Sequence, residues 1–259
     1  MKIDLTGKNA LIGGSSKGIG LGIATELANS GARVCLMARN ETKLKEIVDQ
    51  LPNTENHSYL VVDFSKFEEY KIKIEEYIKN NQVDILVNNT QGPSAGNSLS
   101  KNIDSYQEAF DLLFKSVVHT TSLVIPHMQK NKWGRIINVT SVSVKEPLNY
   151  LVLSNSIRSA VVAWAKSLSA DVGKDGITIN SILTGYFDTE RIKELNKEKS
   201  KSLNISENEV LEKMKSLVPI NRLGKPEEYG YLVSFLSSDK ASYINGASIP
   251  IDGGLLKSY

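Results

Sequence analysis

Short apolar runs alternate with long amphipathic stretches along almost the whole chain. The apolar runs have the length of buried strands, and the amphipathic stretches have the length of helices. Strands that are each followed by a helix need crossover connections, so they form a parallel sheet with helices on both faces. The predicted strands cover 9–14, 33–38, 60–63, 84–88, 134–139, 177–182 and about 247–251, and the predicted helices cover 18–30, 41–51, 66–80, 105–130, 152–172 and 226–237. This order of elements predicts an α/β fold of the doubly wound Rossmann type.

The bulk composition is that of one globular domain over residues 1–259. Apolar residues make up 41% of the chain and charged residues 23%, and 259 residues suit one large α/β domain better than two small ones. The net charge of +2 is too close to neutral to predict a nucleic-acid partner. The single cysteine, Cys35, lies in an apolar run, so we expect it to be a buried small hydrophobe.

Targeting and metal-binding patterns are absent from the sequence. The first residues lack the apolar run of a signal peptide, and no stretch is long and apolar enough to span a membrane. We therefore expect a cytoplasmic protein with no membrane partner. His57, His119 and His127 do not have the spacing of metal ligands, so no metal site is expected.

The stretch 188–216 is the one compositional break, because it is rich in Lys, Glu, Asn and Ser. One interpretation is a solvated pair of helices. The other is a mobile flap over a ligand, since the stretch follows the carboxyl end of a predicted strand. We favour the flap, because the rest of the predicted sheet is compact.

A glycine-rich loop joins the first predicted strand to the first predicted helix. Its glycines allow a tight turn and a close approach to a pyrophosphate, and the helix that follows offers free N–H groups. The position of the loop in the first strand–helix–strand unit predicts a dinucleotide site. The loop residues expected to contact the cofactor are Gly14, Ser16, Lys17, Gly18, Ile19 and Gly20.

The end of the second predicted strand indicates which dinucleotide is bound. NAD sites usually have an acidic residue there for the ribose hydroxyls, but this chain has Ala38-Arg39-Asn40 and no acid before Glu41. Arg39 and Lys17 are able to converge on a 2′-phosphate. The sequence therefore favours NADP (NADPH) over NAD.

Several motifs in order resemble the short-chain dehydrogenase/reductase family over essentially the whole chain, with 3-oxoacyl-acyl-carrier-protein reductases among the nearest well-known members. The motifs are the glycine loop, Asp63 after the third strand, Asn88-Asn89-Thr90-Gln91-Gly92, the strand that ends at Ser141, Thr184-Gly185-Tyr186-Phe187-Asp188-Thr189, Asn245-Gly246 and Ile251-Asp252-Gly253-Gly254. The resemblance implies hydride transfer between a nicotinamide and a carbonyl or alcohol, and a homotetramer or homodimer. It also implies further cofactor contacts from Asp63, Phe64, Asn89, Thr90, Gly185 and Thr189, and a ribose contact from Arg158.

Three of the four catalytic positions that the resemblance implies are changed in this chain. The tyrosine position, 13 residues after Ser141, holds Ser154, and the lysine position, 17 residues after it, holds Arg158. The asparagine position, 28 residues before Ser141, holds Leu113. A serine hydroxyl has a far higher pKa than a phenol, and an arginine stays charged and cannot shuttle protons. Of the four positions, Ser141 alone keeps the residue of the family.

Two tyrosines are candidates to replace the missing acid/base. Tyr150, Ser154 and Arg158 are spaced by four residues, so they share one face if the helix begins early enough. Tyr186, after the sixth predicted strand, is the second candidate, and packing or a place at the rim is the plain alternative for both tyrosines. Lys145 and Gln91 are able to reach a substrate or to remain solvated.

Three functions remain open at this point. The first is an NADP-dependent oxidoreductase with a non-standard acid/base, acting on a small carbonyl or alcohol substrate in the manner of a 3-oxoacyl-thioester reductase. The second is an NADP-binding sensor or partner subunit with little or no reductase activity. The third is a lyase that uses no cofactor, which the intact glycine loop disfavours.

Overall fold

The computed structural model describes residues 2–258, which form a seven-stranded parallel sheet in the order β3-β2-β1-β4-β5-β6-β7. The strands are β1 (Asn9–Gly13), β2 (Arg33–Ala38), β3 (Ser58–Val61), β4 (Ile85–Asn88), β5 (Gly134–Val139), β6 (Ile177–Thr184) and β7 (Ser248–Ile251). The helices are α1 (Gly18–Asn29), α2 (Glu41–Gln50), α3 (Phe67–Asn80), α4 (Ile103–Phe110), α5 (Ser116–Asn131), α6 (Val152–Val172), α7 (Glu190–Leu203), α8 (Glu207–Ser216) and α9 (Pro226–Leu236). The predicted Rossmann-type α/β fold is confirmed.

Helices cover both faces of the sheet and produce two apolar layers. Neighbouring residues of β1 belong to different layers, because Ile12 packs with the residues of α1 and α9, whereas Leu11 packs with those of α3, α5 and α6. Successive side chains of a strand point to opposite faces, so a strand covered on both sides is apolar at every position. Cys35 is buried in the second layer, as predicted.

The strand order places a crevice at the carboxyl ends of β1 and β4. The chain leaves β1 towards β2 and β3 on one side, and it returns to β4 on the other side. Loops at such a point diverge, and this divergence opens a ligand site between them. The glycine loop after β1 and the loop after β4 therefore meet at this edge of the sheet.

The strand β3 begins and ends two residues earlier than predicted. It pairs with β2 from Ser58 opposite Cys35 to Val61 opposite Ala38. Pairing as a strand stops there because β2 itself ends at Ala38, although the apolar run continues. Asp63 consequently lies in the loop beyond the strand, at the same edge as the crevice.

The predicted helix 105–130 is two helices joined by one wider turn. α4 and α5 follow each other through a π-helical turn at Asp111–Lys115, and Leu113 is buried in that turn. Such turns are rare and occur often at functional sites. Within residues 2–258, no helix combines the length and the apolarity needed to cross a bilayer.

Candidate cofactor and substrate site

The glycine loop after β1 has the close packing of a phosphate-binding turn. Gly14 and Gly18 have φ values of 55°, in the left-handed region that favours glycine. A Cβ atom on Gly20 would lie 2.2 Å from the carbonyl oxygen of Gly14, so a larger residue cannot be accommodated there. The loop is further held by Ser15, which is buried and whose Oγ donates to Ile12 O and accepts from Met37 N.

Asn89 holds the glycine loop from the opposite side of the crevice. Its Nδ2 donates to the carbonyl oxygen of Gly13 at 2.9 Å and to that of Gly14 at 3.4 Å. Asn88, one residue earlier, is buried and donates to Asn138 Oδ1 at 2.8 Å. The predicted site residue Asn89 therefore shapes the loop, and Thr90 next to it donates to the carbonyl oxygen of Gln91.

The amino end of α1 fits a bound phosphate. Lys17 precedes the helix in an extended conformation, and no side chain caps the first turn, which also holds no acidic residue. Ile19 and Gly20 lie in that turn, where N–H groups have no partner within the helix. Uncapped N–H groups and the positive end of the helix dipole attract an anion, so the loop suits a pyrophosphate.

Arg39 and Lys17 have different acidic partners in the structure. Arg39 is exposed after β2, and its charge acts on Asp63, whose carboxylate also accepts hydrogen bonds from Ser65 N and Oγ. Partial burial opposes ionisation of Asp63, but the bonds from Ser65 and the charges of Arg39 and Lys66 outweigh it and lower the pKa of that carboxyl. Lys17 Nζ lies 2.8 Å from Glu190 Oε2.

The side chain of Phe64 packs beneath the crevice and is almost fully buried. Its ring is buried in the second apolar layer, 4.9 Å from the ring of Tyr70. The sequence predicted a cofactor contact at this position, and that contact stays a prediction.

The first residues of α7 lie against both loops of the crevice. Thr189 caps the helix by accepting a hydrogen bond from Ile192 N, and its Cγ2 would be 3.1 Å from a Cβ atom on Gly18. Glu190 pairs with Lys17, and Arg191 Nη2 donates to Pro93 O at 2.8 Å. The stretch 188–216 is therefore a helix pair, α7 and α8, whose first turn closes over the glycine loop.

Gly185 packs closely on the carboxyl-terminal segment. A Cβ atom on Gly185 would lie 2.6 Å from the Cα atom of Asp252. Asp252 in turn accepts hydrogen bonds from Gly254 N and Leu256 N. This contact brings the two C-terminal motifs of the sequence together.

Ser141, the one retained catalytic position, follows β5 and begins a short 3₁₀ turn. Its Oγ accepts a hydrogen bond from Ser143 N at 3.1 Å, which fixes the direction of the hydroxyl oxygen. The hydroxyl proton is left to donate to another group.

Arg158 and Ser154 interact as their spacing predicts. Arg158 Nε donates to Ser154 Oγ at 3.3 Å, and Arg158 Nη1 donates to the carbonyl oxygen of Val139 at the end of β5. Burial of the guanidinium lowers the pKa of Arg158 to about 10, with a further lowering by the like charge of Arg191 and a partial offset by Tyr229. Arg158 is still protonated at neutral pH.

Tyr150 and Tyr186, the two candidate acid/base residues, lie together. Their hydroxyl groups form a hydrogen bond, and burial raises the pKa of each phenol. Because α6 begins only at Val152, Tyr150 lies outside the helix and does not share the face of Ser154 and Arg158. Lys199 of α7 has its Nζ 5.5 Å from the centre of the Tyr150 ring.

The sequence did not predict that charged side chains of α7 contact the loops of the crevice. Glu190, Arg191 and Lys199 were part of a polar stretch expected to be a solvated pair of helices or a flap. A local signal existed for two of them, because Glu190 and Arg191 directly follow Thr189, a predicted cofactor contact. Lys199 is brought to Tyr150 by the direction of α7, which the residue pattern alone does not give.

Comparison with known proteins places the chain in a family. The family model described as enoyl-(acyl carrier protein) reductase matches residues 14–256. The oxidoreductase UcpA of Salmonella typhimurium is 32% identical over 257 residues, covering 96% of this chain and 95% of that protein. The 3-oxoacyl-[acyl-carrier-protein] reductase FabG of Haemophilus influenzae is 34% identical over 263 residues, covering 98% of this chain and 100% of that protein.

Solved structures give the same result. The structure of L-sorbose reductase from Gluconobacter frateurii, complexed with NADPH and L-sorbose, superposes with a TM-score of 0.91 at 30% identity and with full coverage of both chains. YwfH, an NADPH-dependent reductase, has a TM-score of 0.91 at 26% identity, with 97% of this chain and 99% of that chain covered. The chain therefore belongs to the short-chain dehydrogenase/reductase family of oxidoreductases.

Proposed function

We propose that this chain is an NADP-dependent oxidoreductase that transfers a hydride between the nicotinamide and a small carbonyl or alcohol substrate. The observation that carries the proposal is the glycine cradle at an uncapped helix end, and Ser141 and the Tyr150–Tyr186 pair lie at the same edge of the sheet. NADPH is named with the similar structures of L-sorbose reductase and YwfH. By similarity to FabG, 3-oxoacyl thioesters are the first substrates to test.

In this proposal, one set of residues binds the cofactor and another set transfers the proton. The glycine loop and Thr189 hold the pyrophosphate, and Arg39 recognises the 2′-phosphate beside Asp63. Arg158 holds the nicotinamide ribose. Bound NADPH supplies the hydride.

Proton transfer is assigned to the tyrosine pair. Ser141 donates a hydrogen bond to the substrate oxygen. Tyr150 turns its single hydroxyl proton from Tyr186 to that oxygen and delivers it, and Tyr186 then donates a hydrogen bond to the Tyr150 phenolate that is left. Burial keeps both phenols protonated at neutral pH, which suits a proton donor in carbonyl reduction.

The substitution Tyr150→Phe tests this assignment. We expect turnover of an accepted carbonyl substrate to fall by about 100-fold or more, with NADPH affinity unchanged, because general acid catalysis contributes roughly 10²–10⁴-fold. The exposed Tyr243 provides a matched control, and Tyr243→Phe should change neither quantity. Unchanged turnover in Tyr150→Phe would remove Tyr150 from the mechanism.

One observation favours a second function, an NADP-binding sensor or partner subunit with little reductase activity. Neither phenol of the pair has a lowered pKa, and Arg158, at the position of the family lysine, donates to a backbone carbonyl. Tight NADPH binding without NADPH oxidation by any aldehyde, ketone or 3-oxoacyl thioester would select this function over the first.

We also propose a cytoplasmic homotetramer or homodimer, in line with the family resemblance. The stretch 188–216 is proposed as the substrate flap, since the first turn of α7 lies on the glycine loop.

A further inference from the structure

Three cationic side chains lie at the loops that frame the crevice. Arg158 of α6 donates to Val139 at the end of β5, Arg191 of α7 donates to Pro93 in the loop after β4, and Lys199 of α7 has its Nζ 5.5 Å from the centre of the Tyr150 ring. Each cation increases the positive potential at the same end of the crevice. Arg191 and Arg158 are close enough for the charge of one to lower the pKa of the other.

Carboxylates of the protein leave these charges largely uncompensated. The ion pairs among residues 2–258 include neither Arg158 nor Lys199, and Arg158 donates only to a hydroxyl and a carbonyl oxygen. Arg191 has one acidic neighbour, Glu194, at 3.8 Å, and that carboxylate is mostly exposed. Lys199 is exposed, whereas Arg158 and Arg191 are partly buried, and a bound anion would offset the cost of partly burying the two guanidinium groups.

The other acidic groups nearby have partners of their own. Glu190 is paired with Lys17, and Asp188 lies 3.9 Å from Lys193 on the exposed side of α7. Asp252 accepts two backbone hydrogen bonds from its own turn. These acidic groups therefore add little negative charge next to Arg158, Arg191 and Lys199, and the site can accept an anionic ligand.

Buried acceptor atoms lie in the same elements. Asn196, three residues before Lys199 on α7, is 5% exposed, and its Oδ1 has no hydrogen-bond partner. Asn155 in the first turn of α6 also has an unpartnered Oδ1, while its Nδ2 donates to Leu148 O. Such atoms favour a polar ligand over an acyl chain, because an apolar ligand would leave them unsatisfied.

We propose that the substrate is a short oxo acid or hydroxy acid, and that Arg191 binds its carboxylate while Lys199 and Arg158 add positive potential. The guanidinium of Arg191 lies beside Gly92, with its Nε and Nη2 3.5 Å from the place of a Cβ atom there, and its Nη2 is anchored on Pro93. This position puts the fork of Arg191 at the wall formed by the loop after β4. The inference rests on the proposed oxidoreductase function and narrows its substrate class.

Binding to the NADP⁺-saturated full-length chain tests the inference without turnover, because oxidised cofactor cannot reduce a ketone. The probes are 3-oxobutanoate, its methyl ester and its N-acetylcysteamine thioester, with 2-oxobutanoate and its methyl ester as a second set. We expect isothermal titration to show the acid of at least one set binding at least about tenfold more tightly than its ester and the thioester, since a charge-assisted bidentate contact is lost without the carboxylate.

Variants of α7 assign the preference to one side chain. Arg191→Gln should reduce the preference for the acid to below about twofold, and Arg191→Lys should retain part of it, because the charge remains but the fork is lost. Lys193→Gln is the matched control on the same helix and should keep the full preference. NADP⁺ affinity and thermal stability, measured for each variant, report on the fold.

Four results would overturn the inference. They are equal binding of acid and ester, tighter binding of the thioester than of the acid, no binding of either acid, and a preference for the acid that survives Arg191→Gln. Failure of NADP⁺ to bind at all would instead contradict the proposed oxidoreductase function. The separate cofactor titration distinguishes these two results.

Discussion

Arg39 is the residue to which we assign the proposed preference for NADP. It is exposed directly after β2 and lies beside Asp63, and the chain has no acidic residue between the end of β2 and Glu41. We expect Arg39→Ala to weaken NADPH binding by about 10- to 100-fold, in line with the loss of charge-assisted hydrogen bonds to a phosphate, and to leave NADH binding nearly unchanged. Fluorescence titration with both cofactors measures the effect.

Lys45→Ala is the control for Arg39→Ala, because it removes one positive charge from the exposed surface of α2. It should change neither affinity by more than about twofold. An equal loss of NADPH and NADH affinity in Arg39→Ala would contradict the proposed role of Arg39.

The tyrosine pair predicts an unusual pH dependence. Burial raises the pKa of Tyr150, and so does its hydrogen bond to Tyr186, so Tyr150 remains protonated through the neutral range. Carbonyl reduction needs the protonated phenol and should therefore not decline up to about pH 9. Alcohol oxidation needs the phenolate, so its kcat should rise by about tenfold per pH unit from about pH 8 to 10.

Steady-state kcat profiles in both directions measure this dependence. A plateau of alcohol oxidation near pH 7 would mean that another group of lower pKa is the base. Tyr186→Phe gives a further comparison, because it removes the hydroxyl that raises the pKa of Tyr150 while leaving the ring in place.

At the level of single residues, the spacing in the sequence predicted a side-chain contact correctly where both partners lie on one helix. Ser154 and Arg158 are four residues apart within α6, and they form the expected contact. The hydrogen bond between Tyr150 and Tyr186 joins two loops after different strands, and the pairing of Lys17 with Glu190 spans 173 positions. Such contacts depend on loop paths, which side-chain periodicity does not encode.

The first turn of α7 pairs with Lys17, which we propose as a contact of the cofactor phosphates. The Lys17–Glu190 pair is exposed on both sides, and its hydrogen bond lowers the pKa of Glu190, so the pair exists at neutral pH and is lost as the pH falls through that lowered pKa. Glu190→Gln removes the partner of Lys17 and leaves its ammonium free to bind a phosphate. We therefore expect the affinity for NADPH to rise by about threefold at low salt, because an exposed ion pair contributes only a small free energy.

Glu198→Gln on the exposed side of α7 is the control for Glu190→Gln and should leave NADPH affinity unchanged. The gain in Glu190→Gln should disappear in high salt, where the pair is screened. Weaker NADPH binding in Glu190→Gln would show instead that Glu190 supports the bound cofactor.

The π-helical turn between α4 and α5 holds Leu113 at the position where the family resemblance predicts an asparagine. Leu113 is 2% exposed there and packs with the second apolar layer. Leu113→Asn would bury an amide in an apolar site, and we expect a loss of about 3 kcal/mol in the free energy of unfolding without a gain in turnover. Urea denaturation with NADPH oxidation assays would test both parts, and unchanged stability with faster turnover would contradict them.

For the whole molecule, the alternation of apolar and amphipathic segments was sufficient to predict the architecture, because a chain of this pattern has few compact solutions. β2, β5 and α6 begin and end at the predicted residues. The errors lie where tertiary contacts decide a boundary, as at β3, whose extent is set by its pairing with β2. The sequence predicted a flap or a solvated pair of helices at 188–216, but the contacts of α7 with the glycine loop depend on how the whole chain folds.

Exposed apolar side chains on and around α4 indicate where copies of the chain would associate. Leu99 is 97% exposed and Ile103 is 80% exposed, and Phe110 stacks on Phe114, which touches Trp164 of α6. An exposed cluster of this kind is typical of an interaction surface. We expect Ile103→Glu to shift the proposed homotetramer or homodimer to smaller species in light scattering after size exclusion, because an interface cannot bury an unpaired carboxylate without a large penalty. Ile72→Glu, a similar change at an exposed isoleucine of α3, is the control and should leave the assembly intact. An identical mass for the wild type and Ile103→Glu would show that the interface lies elsewhere.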